Sequence, residues 1–242
     1  MDQAAYAGMN AVEQRHWWFV ARRRIIASLI DRFALPPRNA KVLEAGCGTG
    51  GNLALLARYG HLEAFEFDDG ARDLASAKGI ADIGFGALPD RVALPDRSYD
   101  LIALLDVLEH IEDDRSSLRR LGDLLRSEGR LILTVPAIPS LWSRHDEIHH
   151  HHRRYTLETL RSCIADAGLK VEKIGYFNSL LFPLAWLQRQ AQRVRGHDAP
   201  LDDMPGRLLN GALQAVFALE RFLLGRVKMP IGLSLYAVVS AR

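Results

Sequence analysis

Apolar and polar residues along this chain repeat at two periods. Residues 12–33 set apolar and basic positions at helical spacing, and Pro36-Pro37 ends that helix. From residue 41 onward, short apolar runs take turns with amphipathic stretches. The runs predict strands at Lys41–Ala45, Leu62–Glu66, Ile80–Phe85, Tyr99–Leu104, Arg130–Val135, Leu169–Phe177 and Leu233–Ala241. The stretches between them predict helices at Asn52–Tyr59, Gly70–Lys78, Asp113–Leu125 and Thr156–Ala167. Gly168 stands where a helix C-cap glycine belongs, and "LKVEKIGYF" then alternates as a strand with one wet face. Strands alternating with helices imply an α/β fold: a doubly wound, mainly parallel sheet covered on both faces. Residues 178–230 are too long for a hairpin and read as two or three amphipathic helices before the last strand.

Composition narrows the class. The 242 residues are 48% hydrophobic and 25% charged, enough apolar material for one domain. A net charge of +2 gives no argument for nucleic acid. The charge is uneven: residues 178–242 carry +4 and the remainder −2. Cys47 and Cys163 lie far apart in unlike contexts, which fits reduced thiols and a cytoplasmic protein. The N-terminus lacks a basic-then-apolar leader pattern, and Leu208–Leu224 is interrupted by Asn210, Gln214, Glu220 and Arg221, unlike a membrane span.

The chemistry starts at "VLEAGCGTGG" (42–51). A strand that enters a glycine-rich turn and then a helix lets a ligand approach the backbone, and free N–H groups favour polar or negative atoms. Two spellings fit. Gly46, Gly48 and Gly51 read as the dinucleotide fingerprint; Glu44, Gly46, Gly48 and Gly50 read as E-x-G-x-G-x-G. Glu66 ends the second strand twenty residues after Gly46 and suits a ribose diol under either spelling. Glu44 distinguishes them, because a carboxylate there repels a pyrophosphate but suits an ammonium.

Four stretches together resemble class I S-adenosylmethionine-dependent methyltransferases, particularly the small-molecule group that includes ubiquinone-biosynthesis methyltransferases. They are "VLEAGCGTG", "FEFDDGARDLASA", "LPDRSYDLIALLDVLEHI" and "LLRSEGRLILTVP". The resemblance covers about residues 40–177 plus the last strand. It implies a seven-stranded Rossmann-like sheet with S-adenosyl-L-methionine as cofactor. Glu44, Gly46, Cys47, Gly48, Gly50, Glu66, Phe67, Leu88, Asp106 and Val107 would line the cofactor. One departure concerns adenine: many members carry an acidic residue after the third strand, where this chain reads Gly86-Ala87-Leu88-Pro89. Backbone groups and Leu88 would serve instead.

On the acceptor side, Asp106 and His110 follow the fourth strand, with His110 a candidate base. The run "WSRHDEIHHHHRRY" (142–155) offers His145 and His149 as further catalytic candidates, and Trp142, Arg154 and Tyr155 as acceptor contacts. Its acidic and histidine residues could supply metal ligands, but adjacent histidines splay in a loop, so no metal set is assigned. Trp17 and Trp18 suit a lid that excludes water, and Arg22, Arg23 and Arg24 read as solvent-facing.

Residues 1–242 therefore read as one domain: a lid at 1–37, a cofactor core at 38–177, an insert at 178–230 and a last strand at 231–242. The insert's Leu208, Leu209, Ala212, Leu213, Val216, Leu219, Phe222 and Leu223 form a broad apolar face bordered by basic residues. That face fits an acceptor pocket, a peripheral membrane contact, plain core or a dimer. The expected activity is methyl transfer to a small or lipid-like acceptor at oxygen. The alternatives are a nicotinamide-dependent oxidoreductase and a methyltransferase-like binding protein.

Overall fold

The computed structural model describes residues 3–187 and 204–242. Residues 188–203, part of the predicted insert, lie outside the described residues. Seven strands form one sheet: β1 Ala40–Ala45, β2 Gly60–Glu66, β3 Asp82–Phe85, β4 Tyr99–Leu105, β5 Leu125–Pro136, β6 Leu169–Phe177 and β7 Ser234–Ala241. Their order is β3-β2-β1-β4-β5-β7-β6. The first five are parallel neighbours, while β7 runs antiparallel to both β5 and β6. Every predicted strand is present.

Alternation along the strands sorts the core into two layers. Val42, Leu62, Leu101, Ile132 and Val238 face one side of the sheet with Ile25, Ile26 and Leu29 of a long N-terminal helix. Leu43, Ile102, Leu131, Leu133 and Val239 face the other with Leu118 and Leu121, and with Leu160 and Ile164. Helices α3 (Leu53–Leu56), α4 (Asp69–Ser76), α5 (Asp114–Leu124) and α7 (Leu157–Asp166) follow the predicted positions. Each end has a local cause. Asp68 and Asp113 cap α4 and α5 through their carboxylates, and Thr156 and Thr159 form a reciprocal capping box on α7. Gly168 follows α7 with φ +81°, as the C-cap reading requires.

The N-terminal region departs from the predicted single helix. Two helices, α1 (Gln3–Val12) and α2 (Trp17–Leu29), meet at a turn where His16 caps α2, and a π turn at Ile30–Ala34 closes the second. At the turn Glu13 faces inward and is 2% exposed, and the Arg15 and His16 N–H groups donate to the Val12 carbonyl. The short helix α6 (Arg144–Ile148) lies in the histidine-rich run.

The insert supplies α8 (Arg207–Leu223), and residues 182–187 are also helical. Its expected apolar face is only partly the packed one. Phe217 and Ala218 are buried, Trp17 meets Phe217 at a ring separation of 6.0 Å, and Asn210 accepts a hydrogen bond from the Trp17 backbone. Leu208, Leu209, Val216, Leu219 and Phe222 instead face solvent, Leu208 at 93% exposure. The plain-core reading of those positions is thereby corrected. Leu213 and Phe217, four apart, define the buried stripe.

Candidate active site

The glycine turn leaves β1 at its C-terminal end, where doubly wound sheets bind ligands. Gly46, Gly48 and Gly50 have φ of +70°, +54° and +84°, backbone that favours glycine. The turn is pinned from outside itself: the Gly46 and Cys47 N–H groups donate to Phe65, and Gly48 N–H donates to the Glu66 carboxylate at 2.8 Å. Glu66 also accepts from the Phe67 and Asp68 backbones, at 2.9 and 3.1 Å. A Cβ on Gly46 would stand 2.9 Å from the Val107 methyls, so that glycine is needed for packing. At Gly48 the nearest atom to an added Cβ would be the Met9 methyl at 3.8 Å, so this glycine faces the crevice itself. Phe67 is 55% exposed at the end of β2, and Leu88 is partly buried against the second core layer.

Glu44 tests whether the residues suit the expected cofactor. It is 1% exposed; one carboxylate oxygen accepts from Asn52 at 3.0 Å, and the other has no partner. Burial pushes its pKa up to about 8, against the Asn52 hydrogen bond and the nearby Arg22 charge. An ammonium at that oxygen would satisfy the orphaned group. The residues fit S-adenosylmethionine.

Across the crevice, Asp106 leaves β4 with a left-handed φ of +56°. Thr134 donates to it at 2.9 Å, and the Arg22 guanidinium lies 2.6 Å away. Arg22 is 4% exposed and also donates to Thr134 at 2.7 Å, under a cation–π contact with Trp18 at 5.2 Å. The solvent-facing expectation holds for Arg24 and fails for Arg22. Arg23 is half-buried, donating to Glu13 and Gly51 carbonyls. Trp18, Arg22, Ile25 and Leu29 share one helical stripe, and that spacing was the available signal for Arg22. Glu13 accepts from Thr49 at 2.8 Å and pairs with Lys78. The Tyr6 hydroxyl is held above its ordinary range by burial and by the Glu66 and Asp68 carboxylates. Together α1 and α2 close over the turn. Surface hollows of about 610 and 340 Å³ lie at the opposite, N-terminal ends of the strands.

The histidine-rich run folds back on the β4 turn. His152 N–H donates to the Glu109 carbonyl at 2.7 Å, and the His110 and His151 rings meet edge-on at 4.6 Å. His110 is lowered to about 3 by burial, then by His151 and His149, so its imidazole is neutral at ordinary pH. His149 is half-buried, 6.0 Å from the His151 ring; the side chain of His145 lies outside the described residues. Trp142 is 36% exposed beside this loop. Arg154 and Tyr155, expected at the acceptor, are buried scaffold instead. Arg154 holds Asp146 through two hydrogen bonds of 2.7 and 2.9 Å, and the Tyr155 hydroxyl donates to Asp114 at 2.9 Å. Both lack the free polar atoms an acceptor contact needs. Glu109, Thr134 and Asn52 reach this region without having been singled out in the sequence, whereas Asp146 and His151 belong to the run read there as a possible source of metal ligands.

Residues 18–174 match the family described as Methyltransferase domain. The chain belongs to that family. This membership decides between the two spellings of the glycine turn, in favour of S-adenosylmethionine as the cofactor. A Mycobacterium tuberculosis protein named as a probable S-adenosylmethionine-dependent methyltransferase is 28% identical over 171 residues, covering 67% of this chain and 60% of the relative. The match thus spans less than two thirds of that relative's length. A ubiquinone biosynthesis O-methyltransferase of Xylella fastidiosa is 30% identical over 107 residues, 42% of this chain and 44% of that protein. Solved structures share the fold. A TehB-like methyltransferase of Corynebacterium glutamicum has TM-score 0.55 at 20% identity, covering 90% of this chain and 88% of that one. The geranyl diphosphate C-methyltransferase of Streptomyces coelicolor has TM-score 0.60 at 13% identity, covering 90% and 78%.

Proposed function

We propose that this methyltransferase transfers a methyl group to an oxygen of a small or lipid-like acceptor. The observation that carries the reading is the orphaned Glu44 carboxylate beside a crevice-facing glycine turn. S-adenosylmethionine supplies an electrophilic methyl on a sulfonium. Glu44 takes the ammonium, and the Glu66 oxygens that now hold the N–H groups of Gly48, Phe67 and Asp68 stand at the ribose position. Asp106, fixed by Arg22 and Thr134, orients the methionine end. α1 and α2 exclude water, which strengthens each of these charges. His110 is a half-buried, neutral imidazole at this end of the sheet. Oxygen is favoured by the resemblance to an O-methyltransferase.

A lipid-like acceptor is supported by the exposed ridge of Leu208, Leu209, Leu219 and Phe222, near Arg221, Arg226 and Lys228. No helix among the described residues is long and apolar enough to cross a membrane, so any membrane contact would be peripheral. The test is transfer of tritiated methyl from S-adenosylmethionine into fractionated cell extract. Label is expected in the organic-soluble fraction, in a product stable to mild base. Binding of S-adenosylhomocysteine without label in any fraction would favour a binding protein on a methyltransferase fold.

A further inference from the structure

Beyond Asp106, three side chains converge from two separate loops. Glu109 and His110 follow β4, and His151 comes from the histidine-rich run. One carboxylate oxygen and one nitrogen from each ring all lie within 4.8 Å of one another. We propose that Glu109, His110 and His151 bind a divalent first-row transition metal ion, with an open position for the oxygen of a hydroxyl-bearing acceptor.

Two imidazoles and one carboxylate are a donor set for zinc or its first-row neighbours. A tetrahedral ion with bonds of about 2.0–2.1 Å spaces its ligands roughly 3.4 Å apart. The widest pair would draw in by no more than about 1.4 Å, within reach of side-chain adjustment on loops.

Independent observations point to a ligand here. Glu109 is 1% exposed, and its Oε2 has no hydrogen-bond partner. Buried carboxylate oxygens are rarely left so, because desolvation without a partner is costly. The histidines are also braced. His151 Nδ1 lies 2.9 Å from the Asp146 carboxylate, and Asp146 is fully buried and gripped by Arg154. His110 is hydrogen-bonded to the His149 backbone. A carboxylate or carbonyl on one ring nitrogen is what ligating histidines ordinarily show, since it fixes tautomer and orientation. The histidine run alone would not build this: His150 is exposed and turned away, with φ +54°.

Metal binding stands on this geometry alone. Its use in catalysis rests on the methyltransferase reading. Three protein ligands leave a coordination position beside Asp106. An acceptor hydroxyl or phenol bound there would lose its proton to solvent more readily, and its oxygen lone pair would form the new O–C bond as the sulfonium S–CH3 bond breaks, its electron pair leaving on the sulfur of S-adenosylhomocysteine.

The experiment uses the full chain, stripped with a chelator and titrated with Co2+ under visible absorption, with metal content counted by elemental analysis. One ion per chain is expected, bound at micromolar or tighter concentration. Binding should weaken at least 100-fold in His151→Ala and His110→Ala, and stay within threefold of wild type in His150→Ala. S-adenosylhomocysteine affinity, measured on each variant, reports folding and the cofactor site. Should a histidine variant fail to fold, Glu109→Gln, which keeps shape and removes the anionic ligand, must show the same loss. Absent or only millimolar Co2+ binding with intact S-adenosylhomocysteine binding overturns the metal and leaves the methyltransferase reading. Equal weakening in His150→Ala also overturns it. Co2+ binding with no S-adenosylhomocysteine binding keeps the metal and sinks the catalytic reading.

Discussion

Glu44 links stability, pH and cofactor binding through one carboxyl. Its folded pKa of about 8, against an ordinary 4.5, means that ionising it in the cofactor-free protein costs about 5 kcal/mol. The sign follows from the direction. A raised folded pKa gives a contribution fully present below pH 4.5 and lost as pH rises to about 8. Cofactor-free protein should therefore lose stability across that window, and Glu44→Gln, which cannot ionise, should lose distinctly less. Cofactor binding has the opposite slope. An ammonium at the orphaned oxygen requires the carboxylate, so binding must first remove the proton. At pH 7 a group of pKa about 8 is roughly 90% protonated, so binding should release about 0.9 proton and weaken about tenfold per pH unit below 8. Calorimetry of S-adenosylhomocysteine in phosphate and in Tris, from pH 6 to 9, reads both quantities. In Glu44→Gln the proton release should vanish and the pH slope flatten, with weaker affinity at pH 8. Equal enthalpies in the two buffers, together with unchanged affinity in Glu44→Gln, would refute the placement of the ammonium.

Four further outcomes follow from the same geometry. Glu66→Ala removes the acceptor for three backbone N–H groups as well as the ribose contact, and should weaken S-adenosylhomocysteine binding by about 1.5–3 kcal/mol; an unchanged dissociation constant contradicts the assignment. Arg22→Met leaves Asp106 and Thr134 without their cation and should destabilise by about 2–3 kcal/mol, less than a fully buried pair because Asp106 is partly exposed; denaturant unfolding measures it. Phe222→Asp, at a half-exposed position, should change unfolding free energy by no more than about 0.5 kcal/mol yet abolish co-sedimentation with phosphatidylglycerol vesicles; wild type failing to sediment refutes the membrane contact. Amide hydrogen exchange should be faster in α1 than in α2 and slow in α1 when S-adenosylhomocysteine is added; equal protection in both helices speaks against α1 as the mobile cover.

The sheet was legible because its central strands are apolar on both faces and its turns carry glycine, aspartate or proline where the chain reverses. β1 and β4 read as continuous runs, and β6 read residue for residue. The cofactor side was legible because a glycine turn and two carboxylates are local in sequence. The acceptor side was not, since its parts meet only through tertiary contacts. Arg22 looks solvated among three arginines until its helix is laid on the sheet, where the Trp18 stripe turns it inward. Arg154 and Tyr155 look available until Asp146 and Asp114 claim their polar atoms. Nothing in spacing joins Glu109 to His151, which are 42 positions apart and brought together by the His152 to Glu109 backbone bond. α8 was misread in detail because the side that packs also carries polar residues, Asn210 and the buried Glu220, while much of the broad apolar face stays exposed.

The two N-terminal helices hold the crevice with unequal strength. α2 buries Ala21, Ile25, Ile26 and Leu29 in the main core, and Arg22 ties it to Asp106. Among the residues of α1 whose side chains are described, only Tyr6 is buried, and the helix is anchored mainly through Glu13 just beyond its end, on Thr49 and Lys78. Each such tie to the buried carboxylate contributes about 1.5–3 kcal/mol net, against about 1.5–3 kcal/mol for each of the several large apolar side chains buried under α2. Opening therefore starts at α1, which covers Gly48 and Glu66, while α2 keeps Asp106 in place. The cofactor can then exchange beneath α1 without dismantling the turn that faces the acceptor. Arg22 also sits close enough to lower the cost of ionising Glu44. One buried guanidinium thus serves both sides: it fixes Asp106 and, in the proposed placement of the ammonium, makes the Glu44 carboxylate easier to form.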